Sequence, residues 1–400
     1  MWLAVGAAVV AALWLAVQVV SVAMARRHAV EAPERALGWR PGDGPALARL
    51  AEDRYEQARG ADDLHGVRHL ARQALRRGPL EVRALRVLAL VSQQLDQPDR
   101  AKALMAEAGQ RSLRDAPSQL WLFQQAMARA DYPAAFRHGD ALMRRAPYRS
   151  SISPVLVLAA EHPLAVGALV ERLSHRPPWR ASITQELART NPAAAFDVLS
   201  RLSRAGSTPS DAEVGHLVER MVGAGQVDQA YLVWVQLLAP EGLSRLADVY
   251  DGGFDGLPGA TPFNWRLSKS PEASAEIAEA PQGGGKALYA RFGAAGPVVL
   301  AEELLLLAPG RYRISTRAYT EEPDRGDQLR WAFGCAAAKF EPMAEIRSTD
   351  ETLVWRDASA VVEVPAQGCA AQSLRLTGRP GDLPGFARAW FDHVTVERTP

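Results

Sequence analysis

Three hydrophobic patterns follow one another along the chain, and each predicts a different kind of element. From Trp2 to Ala25 the sequence reads WLAVGAAVVAALWLAVQVVSVAMA, with no charge and only Gln18 and Ser21 as polar side chains. At ~1.5 Å per helical residue such a run spans the ~30 Å hydrocarbon core of a bilayer, so it predicts one membrane-crossing helix. From Pro45 to Ala247 apolar residues recur at i, i+3, i+4 and i+7, and Pro and Gly punctuate the runs. That spacing lines one face of a helix. After Tyr250 the period falls to two and turn residues interrupt it at short intervals, which predicts a set of short strands. The strand candidates are FNWRL, KALYARF, VVLAEELLLL, GRYRISTRAY, QLRWAFGC, TLVWRD, AVVEVPA, QSLRLTG and ARAWFDHVTVE. VVLAEELLLL lacks alternation at its end, but Pro297 and Pro309-Gly310 bracket it and a helix there would stand alone, so it is read as a strand. The expected fold is multidomain, α then β: a membrane anchor over 1–25, a linker over 26–44, helix hairpins over 45–247 and an antiparallel β-sandwich over 248–400. The seam between the last two is VYDGGFDG, Val249 to Gly256.

Self-similarity organises the helical part. A small residue opens one helix of each predicted pair: Val67, Ala101, Ala135, Val166, Ala195 and Ala230, in steps of about 29 to 35 residues. Such residues let two antiparallel helices approach closely. A single hairpin cannot bury its own apolar face, so the hairpins must stack. The period and register resemble a tetratricopeptide repeat, in a degenerate form whose units around Pro163 and Asn191 are short. That resemblance implies an α-superhelix of about six hairpins with an inner groove for a protein partner. Trp121, Phe123, Tyr132, Trp179, Tyr231 and Trp234 are candidates to line it, although aromatic side chains at helical spacing usually pack between helices. The histidines among these helices show no metal-ligand spacing and are read as surface or satisfied core residues.

In the β-rich part, alternation along GRYRISTRAY turns Tyr312, Ile314, Thr316 and Ala318 to one face and Arg311, Arg313, Ser315, Arg317 and Tyr319 to the other. Gln328, Arg330 and Arg375 add polar positions on neighbouring candidates. A face of arginine and aromatic side chains suits sugars, because rings stack on apolar pyranose faces and guanidinium groups pair with hydroxyls or carboxylates. Trp265, Arg313, Arg317, Tyr319, Trp331 and Arg375 are the candidate ligand-binding residues, against the plainer reading of a solvated outer face.

The two ends of this module carry short motifs. Asp251-Gly252-Gly253-Phe254-Asp255, then Phe263-Asn264-Trp265-Arg266, and finally Trp390-Phe391-Asp392-His393-Val394 resemble the jelly-roll carbohydrate-binding modules of the galactose-binding-like class. The resemblance implies that the first and last strands lie side by side, and that Asp255 and Asp392 share a structural calcium; it has Asp255 where Glu is usual. The only cysteines, Cys335 and Cys369, each stand at the edge of a strand candidate, either as a disulfide or as two buried thiols. A disulfide there points to an oxidising compartment.

Composition narrows the function without naming it. Four hundred residues exceed what one core usually serves, and a net charge of +1 predicts no general attraction to nucleic acid. No nucleophile elbow, phosphate loop or HExxH motif is present; Gly283-Gly284-Gly285-Lys286 lacks the phosphate-loop spacing. The pairs Glu302-Glu303 and Glu321-Glu322 do not make a glycosidase site, so no enzyme is expected. Arg26 and Arg27 follow the apolar run and by the positive-inside rule place the chain in the cytoplasm, whereas the cysteines and the β-module favour the periplasmic side of a bacterial inner membrane. A cleaved signal peptide is the alternative to the anchor, but the run is longer than an ordinary h-region. The expectation is a non-catalytic envelope scaffold in which hairpins bind a protein and the sandwich binds a polysaccharide; the architecture resembles accessory factors of exopolysaccharide or cell-wall assembly. A pure protein-assembly factor with a structural sandwich is the alternative, and a glycan-acting enzyme a more distant one.

Overall fold

A computed structural model describes residues 2–322, 328–337, 339–348, 351, 353–381 and 385–399. The turn expected at 323–326 lies outside these residues. The apolar run forms α1 (Trp2–His28), which from Val10 onward is long and apolar enough to cross a membrane or to serve as a signal sequence. Its Val10, Leu13, Trp14 and Val19 are exposed.

Contacts divide the chain into two compact units, Met1–Arg172 and Leu173–Pro400. The first holds α1, α2 (Pro33–Trp39), α3 (Gly44–Gln57), α4 (Ala61–Arg77), α5 (Val82–Gln94), α6 (Pro98–Arg111), α7 (Ala116–Ala128), α8 (Tyr132–Met143), α9 (Ala146–Ala159) and most of α10 (Pro163–Ser174). The second holds α11 (Arg180–Thr190), α12 (Pro192–Arg204), α13 (Asp211–Gly223), α14 (Val227–Leu237), the short α15 (Pro240–Leu243) and the strands that follow.

Within the units the helices pack as hairpins: α3 on α4, α5 on α6 and α7 on α8 in the first, α11 on α12 and α13 on α14 in the second. The six aligned small residues fall on α4, α6, α8, α10, α12 and α14, and all are between 0% and 4% exposed. Pro98, Pro163 and Pro192 open their helices, where a missing N–H costs no hydrogen bond. Side chains of Asp43, Asp115, Asp131, Asn191 and Ser210 accept the backbone N–H three residues on and so cap α3, α7, α8, α12 and α13. Of the aromatic groove candidates, Phe123, Trp179 and Trp234 are buried and Trp121 donates its indole N–H to Gln93 Oε1 at 3.0 Å. These four serve packing and hairpin-to-hairpin contact.

A buried ion pair ties α11 to α13. Arg180 meets Glu213 through two parallel hydrogen bonds of 2.8 and 2.9 Å, while Ser207 Oγ and Thr184 Oγ1 satisfy further positions on the two groups. In the first unit Arg86 bridges Glu52 and Asp115, joining α3, α5 and the start of α7 in the same manner.

The strands are β1 (Arg266–Leu267), β2 (Lys269–Ser270), β3 (Ala273–Glu279), β4 (Lys286–Phe292), β5 (Val298–Leu305), β6 (Gly310–Thr320), β7 (Leu329–Cys335), β8 (Ala344–Arg347), β9 (Arg356–Val364), β10 (Gln372–Gly378) and β11 (Ala387–Arg398). They form two antiparallel sheets, one in the order β1-β5-β10-β7-β8 and one in the order β2-β3-β4-β11-β6-β9. VVLAEELLLL is a strand as far as Leu305, whereas only Arg356 and Asp357 of TLVWRD join the start of AVVEVPA in β9, and FNWRL keeps only its last two residues. Between the sheets lies a core that includes Trp265, Leu288, Phe292, Trp331, Phe333 and Phe391. Cys335 and Cys369 form a disulfide that closes 34 residues of chain. A loop of that length contributes about 3–4 kcal/mol in the chain-entropy account.

Glu213→Ala should cost about 3–5 kcal/mol in urea unfolding, because Arg180 would remain buried without its carboxylate. Burial draws the Glu213 carboxyl upward, but hydrogen bonds from Arg180 and Ser210 outweigh it and hold the group below its usual 4.5. The wild-type pair therefore contributes fully above about pH 4.5 and its contribution is lost as pH falls through the lower folded value. A pH series of unfolding midpoints should show that acid loss in the wild type and not in the variant.

Candidate ligand-binding faces of the sandwich

The seam is the first thing that positions the site. Asp251 turns the chain by accepting the N–H groups of Asp255 at 3.1 Å and Gly256 at 2.8 Å. Gly252 then presents its carbonyl to Val394 N–H at 2.8 Å, and a Cβ at Gly252 would stand 2.0 Å from Val394 O. The first segment thus lies beside the last strand, as the end motifs imply. Trp265 seals the turn from inside, its indole N–H donating to Asp251 O at 3.3 Å.

The expected calcium does not fit this arrangement. Both Asp392 oxygens are taken at 2.7 Å by His393, one by its N–H and one by Nδ1. Asp255 is exposed, with Lys286 Nζ 3.5 Å from its carbonyl oxygen. Among the described residues no three His, Cys, Asp or Glu side chains gather as a metal-holding group. A cation needing six or more oxygens finds here a local turn and a strand end instead.

Glu303 on β5 points inward and is 2% exposed. Its Oε1 accepts Tyr250 N–H at 2.7 Å, while Oε2 has no hydrogen-bond partner among the described residues. Burial pushes the carboxyl well above its usual 4.5; the Tyr250 N–H offsets part of that rise and the Asp251 charge adds to it.

The six sequence-predicted ligand residues divide three ways. Trp265 and Trp331 are core: they meet each other at 5.5 Å between ring centroids, and Trp331 meets Phe391 at 5.7 Å. At 0% and 2% exposure neither can stack on a sugar. Period-two alternation gave the right parity for β6, but nothing local distinguishes an inward tryptophan from a ligand platform.

Arg313, Arg317 and Tyr319 lie on the outer face of the six-stranded sheet, and Arg375 lies on the other sheet, so they do not form one surface. On the six-stranded face Tyr319 is 8% exposed and packs on Trp355 at 5.6 Å. Arg317 lies 5.3 Å over the same indole and pairs with Asp357 at 3.7 Å. Opposite Tyr319 stands Trp390, which packs on Tyr289 at 4.7 Å and donates its N–H to Glu321. Leu353 N–H bonds Thr320 O at 2.9 Å and the Trp355 indole reaches Pro281 O at 3.5 Å, so this segment lies over the sheet. The rings here are occupied with one another.

The five-stranded face is different. In register across β1, β5 and β10 stand Arg266, Glu302 and Arg375, a carboxylate between two guanidinium groups. Glu302 Oε1 accepts from Arg375 Nε and Ser373 Oγ, each at 2.7 Å. The Arg375 guanidinium lies 4.1 Å over the ring of Phe340, and Arg266 is held by Glu219 at 2.6 Å. Above Glu302, Leu304, Ser373 and Arg375 opens a cleft of about 280 Å³, with Arg266 and Val222 on one side and Ala336 and Ala337 on the other. Sequence reading found Arg375 and missed Glu302, Ser373 and Arg266; the signal available was the outward parity of Glu302 beside inward Glu303.

Solved structures resemble parts of the chain. A family 4 carbohydrate-binding module is 15% identical over 38% of this chain and 99% of its own, with a TM-score of 0.26. A family 61 module determined in complex with β-1,4-galactotriose is 14% identical over 38% of this chain and all of its own, with a TM-score of 0.28. PilW, a type IV pilus biogenesis factor, is 18% identical over 50% of this chain and 93% of its own, with a TM-score of 0.24. Scores at this level assign no family. No protein-family model and no curated protein matches the chain.

Glu303→Gln tests the seam. Because the folded carboxyl keeps its proton where the unfolded one has lost it, wild-type stability should fall as pH rises from about 4.5 towards the folded value. The variant should flatten that fall above about pH 4.5 in thermal melts, and an unchanged slope would remove Glu303 as its cause.

Proposed function

We propose that the chain is a non-catalytic, membrane-anchored scaffold of a bacterial cell envelope, whose helix hairpins hold a protein partner and whose sandwich binds glycan. The observation that supports the glycan half is the cleft over β5 and β10. Its floor combines an outward carboxylate, a guanidinium and a hydroxyl already fixed to one another within 3.0 Å, beside apolar Leu304. Saccharides offer that floor what it asks for: hydroxyls that both donate and accept, and C–H faces that tolerate an apolar wall. Mutual fixing of Glu302, Ser373 and Arg375 means that little side-chain freedom is lost when a ligand arrives. The floor carries no pair of free carboxyl groups placed for acid–base chemistry, which favours binding over turnover.

The anchor reading rests on α1, and the envelope reading on the disulfide, which persists in oxidising compartments. A role beside exopolysaccharide or cell-wall assembly follows from the architecture by analogy.

Calorimetric titration of the full chain with β-1,4-galactan, mixed-linkage β-glucan and alginate fragments should detect binding to at least one of them. Arg375→Ala and Glu302→Gln should each weaken it about 10- to 100-fold, the worth of a charge-assisted hydrogen bond. Arg313→Ala, on the opposite sheet, should leave it unchanged. No binding by any of the three saccharides, or equal binding by the Arg375 variant, would overturn the cleft as the glycan site.

A further inference from the structure

Half of the Glu303 carboxyl is unused by the seam. Oε1 accepts the Tyr250 N–H, while Oε2, buried as well, has no hydrogen-bond partner among the described residues. A buried acceptor in that state is costly until a donor reaches it. Glu303 stands in the lining of a cavity of about 70 Å³, together with Tyr231, Trp234, Asp248, Tyr250 and Phe263. Ala247 and Asp248 at its edge are exposed, whereas Trp234, Phe263 and Glu303 are buried, so the cavity leads from the surface inward to the carboxyl.

The elements around it supply negative charge and aromatic rings. From α14 come Tyr231 and Trp234, 5.5 Å apart between ring centroids, and Phe263 packs on them at 5.3 and 5.5 Å. Tyr250 meets Trp234 edge-on at 5.0 Å. Burial, and then the charges of Asp248 and Glu303, raise the Tyr231 phenol, so both carboxyl groups act on one hydroxyl. Across the sheet β10 sets Leu374 opposite Glu303. Arg245, the cation beside the seam, pairs with Asp251 at 3.8 Å and is not part of the lining. A cavity lined by two acids and no lysine or arginine calls for a donor that carries positive charge. Aromatic walls suit such a guest, because the ring quadrupole attracts cations.

Size narrows the choice. At about 30 Å³ per water the space admits about two waters' worth of ligand, enough for an ammonium head and too little for a guanidinium or a quaternary ammonium, each with at least four heavy atoms. A divalent metal ion is a poorer match, since one free carboxylate oxygen among carbon walls does not build a shell of six oxygens.

We infer that this cavity receives the head of a primary amine, as an ammonium ion, with ionised Glu303 as its counter-charge and Asp248 at its mouth. The inference does not depend on the glycan reading. In the empty cavity the buried carboxyl keeps its proton. The incoming cation displaces that proton to solvent, so one positive charge replaces another and the buried pair stays neutral. The amine is either a free small molecule or the side chain of a lysine on a partner, and both carry this head.

The test uses the full-length protein and three chloride salts: methylammonium, Nα-acetyl-lysine N-methylamide as the lysine head, and tetramethylammonium, which is too wide. Each replaces sodium chloride at constant ionic strength, and thermal midpoints against concentration give an affinity at each pH. Methylammonium should raise the midpoint over sodium with a dissociation constant of about 10 mM, near the ceiling for two heavy atoms, and tetramethylammonium should not. Its affinity should climb by up to about tenfold per pH unit from about pH 5 upward, while Glu303 must still surrender a proton and the probe itself stays charged. Glu303→Gln, which keeps an acceptor for the Tyr250 N–H, should lose about tenfold or more and all of that pH dependence. Asp248→Asn, at the exposed mouth, should lose about two- to fivefold. A lysine derivative that binds no better than methylammonium points to a free amine, and one that binds about tenfold better to a lysine of a partner. A methylammonium midpoint no higher than in sodium, an affinity flat with pH, or equal binding by tetramethylammonium or by the Glu303 variant would overturn the site.

Discussion

One backbone hydrogen bond closes the sandwich, and it exists because Gly252 has no side chain. Its carbonyl meets Val394 N–H at 2.8 Å, in a space where a Cβ would be 2.0 Å from Val394 O. With the last strand drawn against the first segment, Asp251 O falls where the Trp265 indole can donate to it, and Tyr250 N–H falls over Glu303. From there the effect reaches the cleft through a one-residue step. Glu303 faces inward to hold the seam, so by the strand's alternation Glu302 must face outward, between Arg266 and Arg375. Adjacent carboxylates thus divide the labour: one fixes the register of β5 and the other forms the floor of the site.

The periodic part of this organisation was legible in the sequence. Six small residues at a repeated spacing fall on α4, α6, α8, α10, α12 and α14, and each lies buried. Alternation along GRYRISTRAY gave the inward set Tyr312, Ile314, Thr316 and Ala318, all buried. The misses have a common cause, which is that they depend on contacts distant in sequence. β3 reads ASAEIAE, rich in helix formers, and becomes a strand only because β4 pairs with it. Arg317 and Arg375 looked like neighbours because their strands alternate alike, but sheet order separates them. At the seam α15 stops at Leu243, ahead of the glycines, and the left-handed positions are Asp251 and Phe254, with φ of 51° and 55°. Gly252 is needed for proximity and not for its dihedral freedom.

The two outer faces show why counting arginines and aromatic rings does not locate a site. On the six-stranded sheet Arg317, Tyr319 and Trp355 meet one another, and the result is a loop held down over the sheet. The same residue types that could grip a sugar are consumed in contacts within the chain. On the five-stranded sheet Arg375 is also paired, but with Glu302 and Ser373 at the floor of an open cleft. Pairing there orients the groups and leaves space above them, because the walls come from elsewhere: one from α13, one from the chain beyond Cys335. The cleft on this sandwich is therefore a property of what its neighbours in the second unit leave uncovered. A sandwich cut free of α13 would keep its floor residues and lose a wall, so the polar floor and the helix beside it are separable parts of one cleft.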